Sequence, residues 1–288
     1  MRVHLLVSLW LLLAIRAASA EPIAIVAAEN FYGDVAAQIG GERVKVISIL
    51  SNPDQDPHLF EASVSTARNL AAARIVIYNG ADYDPWMTKL LTASRASGRV
   101  AIEVARLVGK KSGNNPHLWY DPSTMPAVAE ALAAELARLD PDHLADYKSR
   151  RDALRASLKT VDDKIASLRE RYAGVRVTAT EPVAGYLAAA IGLEVRNERF
   201  QLAVMNGTEP SASDIAAFQT DLRTRAVKLL LYNSQTSEAL TQKMRAIAQE
   251  AGVPIVGVSE TEPAGLTYQA WMVSVVAAIE TGLSGKEP

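Results

Sequence analysis

Apolar residues in the first half of the chain alternate between short β-like runs and stretches where they recur every three or four positions. Ile23 to Ala28 reads as a strand, and Tyr32 to Ile39 as a helix closed by Gly40-Gly41. Val44 to Leu50 is a second strand, leading into the polar loop Ser51 to Pro57. Ser63 to Ala73 has helical spacing, Arg74 to Tyr78 is a strand, Pro85 to Thr92 a helix, and Arg99 to Val104 a last strand. The second half repeats the scheme. Strands are expected at Val175 to Ala179, Val227 to Tyr232 and Pro254 to Val258. Helices are expected from Tyr186 to Ile191 before Gly192, Ser211 to Arg223, Ser237 to Glu250 before Gly252, and Thr267 to Leu283. Ser211 with Asp214 has capping-box character, the aspartate taking the usual glutamate place. Alternation of this kind predicts an α/β fold with parallel sheets covered on both faces.

Between the halves, Pro141 to Arg171 contains no β-like run. Leu144, Tyr147, Leu154, Leu158, Val161, Ile165 and Leu168 recur there at spacings of three, four or seven among charged residues. The pattern predicts one amphipathic helix of roughly 30 residues, ~45 Å long, more than twice the mean for globular proteins. The expected organisation is therefore an N-terminal lobe over 21–140, a rigid helix over 141–171 and a C-terminal lobe over 172–288.

Residues 1–20 have the marks of a secretory signal peptide: Arg2, an apolar run from Leu5 to Ile15, and Ala18-Ser19-Ala20 before Glu21. That run is too short to span a bilayer core of roughly 30 Å. Cleavage after Ala20 and a periplasmic location are expected, with no membrane insertion of the mature chain. The sequence has no cysteine, which removes disulfides, thiolate metal sites and a lipid-attachment residue. A net charge of −2 and the absence of a basic run with interleaved aromatics give no reason to expect a nucleic-acid partner.

Candidate chemistry starts from the histidines, of which there are four. His4 lies in the leader and His143 at a helix start, whereas His58 and His117 each follow a proline and precede apolar residues. Proline favours extended local backbone, which suits an imidazole presented from a loop. Singly, each would be an ordinary half-buried loop histidine; two in a histidine-poor chain point to metal ligation. Two carboxylates, Glu181 and Glu260, stand just past predicted strand ends, where α/β folds place ligand-binding groups. Either alone would be a cap or a solvated loop charge, but the four residues occupy equivalent loop positions, two in each half. Two imidazoles with two carboxylates suit Zn²⁺, Mn²⁺ or Fe²⁺. Four protein ligands leave little room for an activated water, which favours carrying an ion over catalysis.

At these residues the chain resembles the metal-binding solute receptors of bacterial ABC importers for zinc and manganese. The resemblance spans the mature chain. It rests on Ala28-Glu29-Asn30-Phe31-Tyr32, Asp56-Pro57-His58, the string Asn115-Pro116-His117-Leu118-Trp119-Tyr120-Asp121-Pro122, the long helix, Glu209-Pro210-Ser211, Val258-Ser259-Glu260-Thr261, and Thr267-Tyr268-Gln269 with Trp271-Met272. It implies two lobes joined by a rigid helix, one ion in the cleft, and delivery to an inner-membrane permease by a monomeric, non-enzymatic receptor. It implies His58 and His117 as the first two ligands, Glu181 as the third, where zinc receptors often have histidine, and Glu260 as the fourth, where aspartate is usual. Glu262 is the nearest substitute for Glu260. The segment Leu107 to Asn115 is short and holds no histidine, so the His-rich loop of many zinc importers is absent. Asn233 and Gln235 could supply amides behind the ligands or simply form a polar turn, while Trp119, Tyr120 and Trp271 read as packing residues.

Two other functions remain open on the sequence. One is a secreted metal-dependent hydrolase using His58 and His117, although the chain lacks His-Glu-x-x-His and Gly-x-Ser-x-Gly. The other is an adhesin or interaction protein with a structural metal. The physiological ion is also open: two carboxylates lean toward Mn²⁺, while raw affinity rises toward Zn²⁺.

Overall fold

The computed structural model describes residues 21–52 and 60–285. The leader and His58 lie outside the described residues.

The first half builds a four-stranded parallel sheet from β1 (Ile23–Glu29), β2 (Val44–Leu50), β3 (Ile75–Tyr78) and β4 (Val100–Glu103), in the order β2-β1-β3-β4. Its helices are α1 (Asn30–Gly40), α2 (Val64–Ala72), α3 (Pro85–Ala93), the single turn α4 (Val104–Leu107) and α5 (Thr124–Leu139). After α6 (Leu144–Tyr172), the second half repeats the topology. Strands β5 (Arg176–Ala179), β6 (Glu194–Arg196), β7 (Leu230–Asn233) and β8 (Ile255–Val258) pair in the order β6-β5-β7-β8, again all parallel. Its helices are α7 (Gly185–Ile191), α8 (Glu198–Met205), α9 (Ala212–Arg223), α10 (Ala239–Ala251) and α11 (Tyr268–Ser284). In each sheet the first strand has its successor on one side and the third strand on the other. This leaves a topological switch point at the carboxyl ends of β1/β3 and of β5/β7, where open α/β sheets bind ligands.

Period-two alternation explains why both faces are covered. Ile25, Ala27, Ile75 and Ile77 point into the main core, while Val26, Ala28 and Val76 pack with Leu70 of α2 and Met87 of α3 on the other face. In the second sheet Val177, Ala179, Leu231 and Val258 face the main core, and Leu230 packs with Phe218 and Met244 outside. The main core is continuous between the halves. Its middle is the apolar stripe of α6, where Leu154, Leu158, Val161, Ile165 and Leu168 are all buried.

The helix expected over 141–171 is a 3-10 turn at Pro141–His143 followed by the unbroken 29-residue α6. A second helix runs beside it. Near the start of α11, Trp271 packs against Phe31 and Tyr120 of the first half, with ring centroids 6.0 and 5.7 Å apart. Near its end, Glu280 pairs with Arg171 at 2.6 Å. Gly282 lies so close to the second sheet that a Cβ there would sit 2.6 Å from Leu229 Cδ1. The two halves are thus spanned by two helices.

Besides the single turn α4, three elements had no counterpart in the hydrophobic pattern. On α5 the inward face is partly alanine (Ala129 and Ala133 beside Val128, Leu132 and Leu136), so its contrast with the outer face is weak. Strand β6 is a three-residue edge with one apolar residue, and α8 follows it directly. At Ser211 the cap forms by half: its hydroxyl accepts from the Asp214 amide at 3.1 Å, but Asp214 takes the Ser211 hydroxyl proton rather than the Ser211 amide. The shorter side chain does not reach the backbone. A complete capping box forms instead at α2, between Ser63 and Thr66.

Candidate metal centre

His117 is fully buried in the loop between α4 and α5. Asn115 Oδ1 accepts the His117 backbone amide at 3.1 Å and lies 2.7 Å from His117 Nδ1. An oxygen that accepts the backbone N–H accepts from the ring as well, so Nδ1 is the donor and Nε2 is the ring nitrogen left for a ligand. The amide end of Asn115 donates to Pro182 O at 2.8 Å, which fixes its orientation and joins the first half to the loop carrying Glu181. Behind His117, Asn79 Nδ2 donates to Pro116 O at 2.8 Å and Tyr32 donates to Asn79 Oδ1 at 2.7 Å.

His117 Nε2 has no hydrogen-bond partner among the described residues and stands 3.6 Å from Glu260 Oε2, both side chains being wholly inaccessible. Glu260 follows β8. Asn233 Nδ2 donates to its Oε1 at 2.5 Å, and Gln235 Oε1 accepts the backbone amides of Glu260 and Thr261 at 2.5 and 3.1 Å. Asn233 ends β7 and Gln235 follows it, so the polar turn at 233–235 supports the carboxylate. Glu181, 4% exposed, sits past β5 and accepts from Thr236 Oγ1 at 3.1 Å. Thr180 Oγ1 accepts the Asn233 amide at 3.2 Å, tying the loops after β5 and β7 together. His117 and Glu260 therefore meet, and Glu181 is linked to them through the segment after β7, whose Thr236 donates to it. Among the described residues no three His, Asp or Glu side chains close into an ion cage.

Glu262 is fastened by its backbone to the first half. Its backbone exchanges two hydrogen bonds with the Asn30 side chain, at 2.7 and 3.0 Å. Burial, and then the Asp34 charge, push its carboxyl up to about 8.

A second acidic feature lies at the end of β1. Glu29 is fully buried, and no N–H or O–H donor among the described residues meets either of its oxygens. Burial, followed by the neighbouring Asp84 carboxylate, raises it well above the usual range. Asp84 is raised to about 6 by burial, although the Asn79 and Gly80 amides donate to it at 2.7 and 2.8 Å. Those amides hold a turn in which Gly80, Ala81 and Asp82 all have positive φ (73°, 50° and 66°), a costly geometry for the two non-glycines. The turn delivers Tyr83, whose ring stands 4.9 Å from Trp119 and 6.1 Å from His117. Burial and then the Glu260 charge raise the Tyr83 hydroxyl far above its ordinary range. The sequence pattern did not single out Glu29 as a buried acid, nor Tyr83 or Asp84. The Asn-Gly before Asp82 was the one signal of a tight turn there.

The family model described as zinc-uptake complex component A, periplasmic, matches residues 25–282. The chain belongs to this family. Its relatives include the manganese-binding lipoprotein MntA of Bacillus subtilis, 24% identical over 243 residues, covering 81% of this chain and 78% of that protein. Another is the manganese ABC transporter substrate-binding lipoprotein PsaA of Streptococcus anginosus, 22% identical, covering 93% and 91%. The fold matches that of the periplasmic zinc-binding protein TroA from Treponema pallidum with a TM-score of 0.74 at 22% identity, over 91% of this chain and 99% of that one. The two-sheet α/β architecture expected from the strand-helix alternation is thus also the fold of TroA. Among the described residues no helix is long and apolar enough to cross a membrane.

Proposed function

We propose that this chain is the periplasmic receptor of an ABC-type importer, capturing Zn²⁺ or Mn²⁺ between lobes at 21–140 and 172–288 and passing it to an inner-membrane permease. The observation that carries the reading is the buried His117 Nε2, without a hydrogen-bond partner among the described residues, held 3.6 Å from a buried carboxylate oxygen of Glu260. An imidazole nitrogen and a carboxylate oxygen buried side by side are the donor types that a shared divalent cation takes. His58, His117, Glu181 and Glu260 are its ligands in this reading. Family membership and the printed names of MntA, PsaA and TroA support the metal class and the importer. The donor set, two nitrogens and two carboxylates, admits both ions and Fe²⁺. Neither a hydrolase nor a structural-metal adhesin draws support from the site.

The test is calorimetric titration of EDTA-treated protein with Zn²⁺ and with Mn²⁺, beside its thermal unfolding. One ion should bind per chain, and the metal-free protein should stay folded and gain about 2.7 kcal/mol when free metal is 100 times Kd. Unfolding on chelation would identify a structural site, and no binding of either ion would remove the function. Metal analysis of protein from its native periplasm would name the ion.

A further inference from the structure

The loop from Ser259 to Thr267 follows the last strand of the second sheet, yet its fastenings reach the first half. Tyr120 donates to Ser259 O at 2.9 Å, and Asn30 brackets Glu262 with two hydrogen bonds. Just beyond the loop, Asp34 accepts the Tyr268 amide at 2.9 Å, Tyr268 donates to Trp119 O at 2.6 Å, and Gln269 pairs with Gln38. The aromatic contact of Trp271 with Phe31 continues the same seam. Toward the second half the loop has the strand β8 itself and the amide grip of Asn233 and Gln235 on Glu260 and Thr261. Fastenings on the first-half side are spread over α1 and the 117–120 turn. Those on the second-half side beyond β8 and the Ser234–Val258 pairing concentrate in one tripeptide.

We propose that Glu260 is mounted on the first lobe with His117, and that Asn233 and Gln235 form the latch by which the second lobe grips it. This rests on the metal reading above. Opening then breaks the latch and the bonds of Asn115 to Pro182 and Tyr186, and withdraws Glu181, while Glu260 stays beside His117. Metal leaves by losing the second lobe's ligand first, and the latch sets the release rate. Asn233 and Gln235 are positioning residues: they orient Glu260 and need not touch the ion.

The chain has no cysteine, so paired labels can be placed without background. Spin labels go on Leu266→Cys in the loop with Lys45→Cys on β2, and on Leu266→Cys with Lys243→Cys on α10, all three positions being exposed. Distances are read in EDTA and with Zn²⁺. The Leu266–Lys45 distribution should be narrow and unmoved by Zn²⁺, and the Leu266–Lys243 distribution broad in EDTA and sharpened by Zn²⁺. A shift in the first, or none in the second, overturns the proposal. If wild type fails to bind Zn²⁺ the metal reading falls instead, and the two widths in EDTA still decide the mount: equal or reversed widths overturn it. In parallel, Gln235→Ala should release Zn²⁺ to a chelator about tenfold or more faster, as loss of a ligand's support does, while the metal-free protein melts as wild type does. An unchanged release rate overturns the latch.

Discussion

Replacing Glu181 with histidine exchanges an anionic oxygen for a neutral nitrogen, so Glu181→His should weaken Mn²⁺ binding much more than Zn²⁺ binding. Competition between the ions on wild type, Glu181→His and Glu181→Ala at one pH reads this directly. An unchanged ratio in Glu181→His would put Glu181 outside the ligand set. A second residue-scale expectation concerns the acid pair at Glu29 and Asp84. Both carboxyls are raised in the fold, Asp84 to about 6, chiefly by burial. A raised carboxyl contributes stability below its unfolded value, near 4, and loses that contribution as pH climbs through the folded value. Wild type should therefore lose stability from this pair as pH climbs above about 4, through the Asp84 value of about 6 and beyond it for Glu29. Glu29→Gln leaves no charge to bury beside Asp84. Its melting temperature in EDTA should exceed that of wild type at pH 8, with the gap closing toward pH 4; equal gaps at both would contradict the pair. Of the candidate ligands, His117 and Glu260, which meet in the fold, were legible in sequence because one follows a proline and the other a strand end. The acid pair was not, because Glu29 and Asp84 meet only through the adjacency of β1 and β3. Asn115 was visible within its string, but its hold on the His117 tautomer depends on a side-chain rotation that spacing does not encode.

At the scale of elements, the apolar stripe of α6 was readable position by position because large aliphatics face charges across the helix. Leu158, 6% exposed within the main core, makes the test: Leu158→Ala should cost about 2–5 kcal/mol in denaturant unfolding of the metal-free protein. A loss within about 0.5 kcal/mol, as surface changes give, would mean that the stripe is not a core seam. Helix α5 escaped the pattern because alanine serves equally on either face, and β6 because three residues give no period to read. The cap of α2 shows the reverse case, where local chemistry decides: Ser63→Ala should cost ~1 kcal/mol, measurable by the same unfolding curves. Strand order was not legible at all, since adjacency of β1 to both β2 and β3 is settled by packing of helices on the two faces rather than by any run of residues.

For the whole molecule, the architecture of two parallel sheets followed from strand-helix alternation, whereas the second spanning helix did not. Thr267 to Leu283 was readable as a helix, but nothing in its residues announced that one end would pack with Phe31 and the other beside Leu229. The continuous core has a calorimetric consequence. Two sheets on separate cores would melt as two peaks, each with its own enthalpy. Here the residues of α6 belong to one apolar body with both sheets, so neither half can lose its packing without stripping the other. The metal-free chain should show a single heat-absorption peak whose calorimetric and van't Hoff enthalpies agree, despite a length at which such agreement is uncommon. Two resolved peaks would mean that the shared core does not couple the sheets. In the cell, this coupling would deny proteases a half-unfolded receptor: each molecule is either intact or wholly open to cleavage.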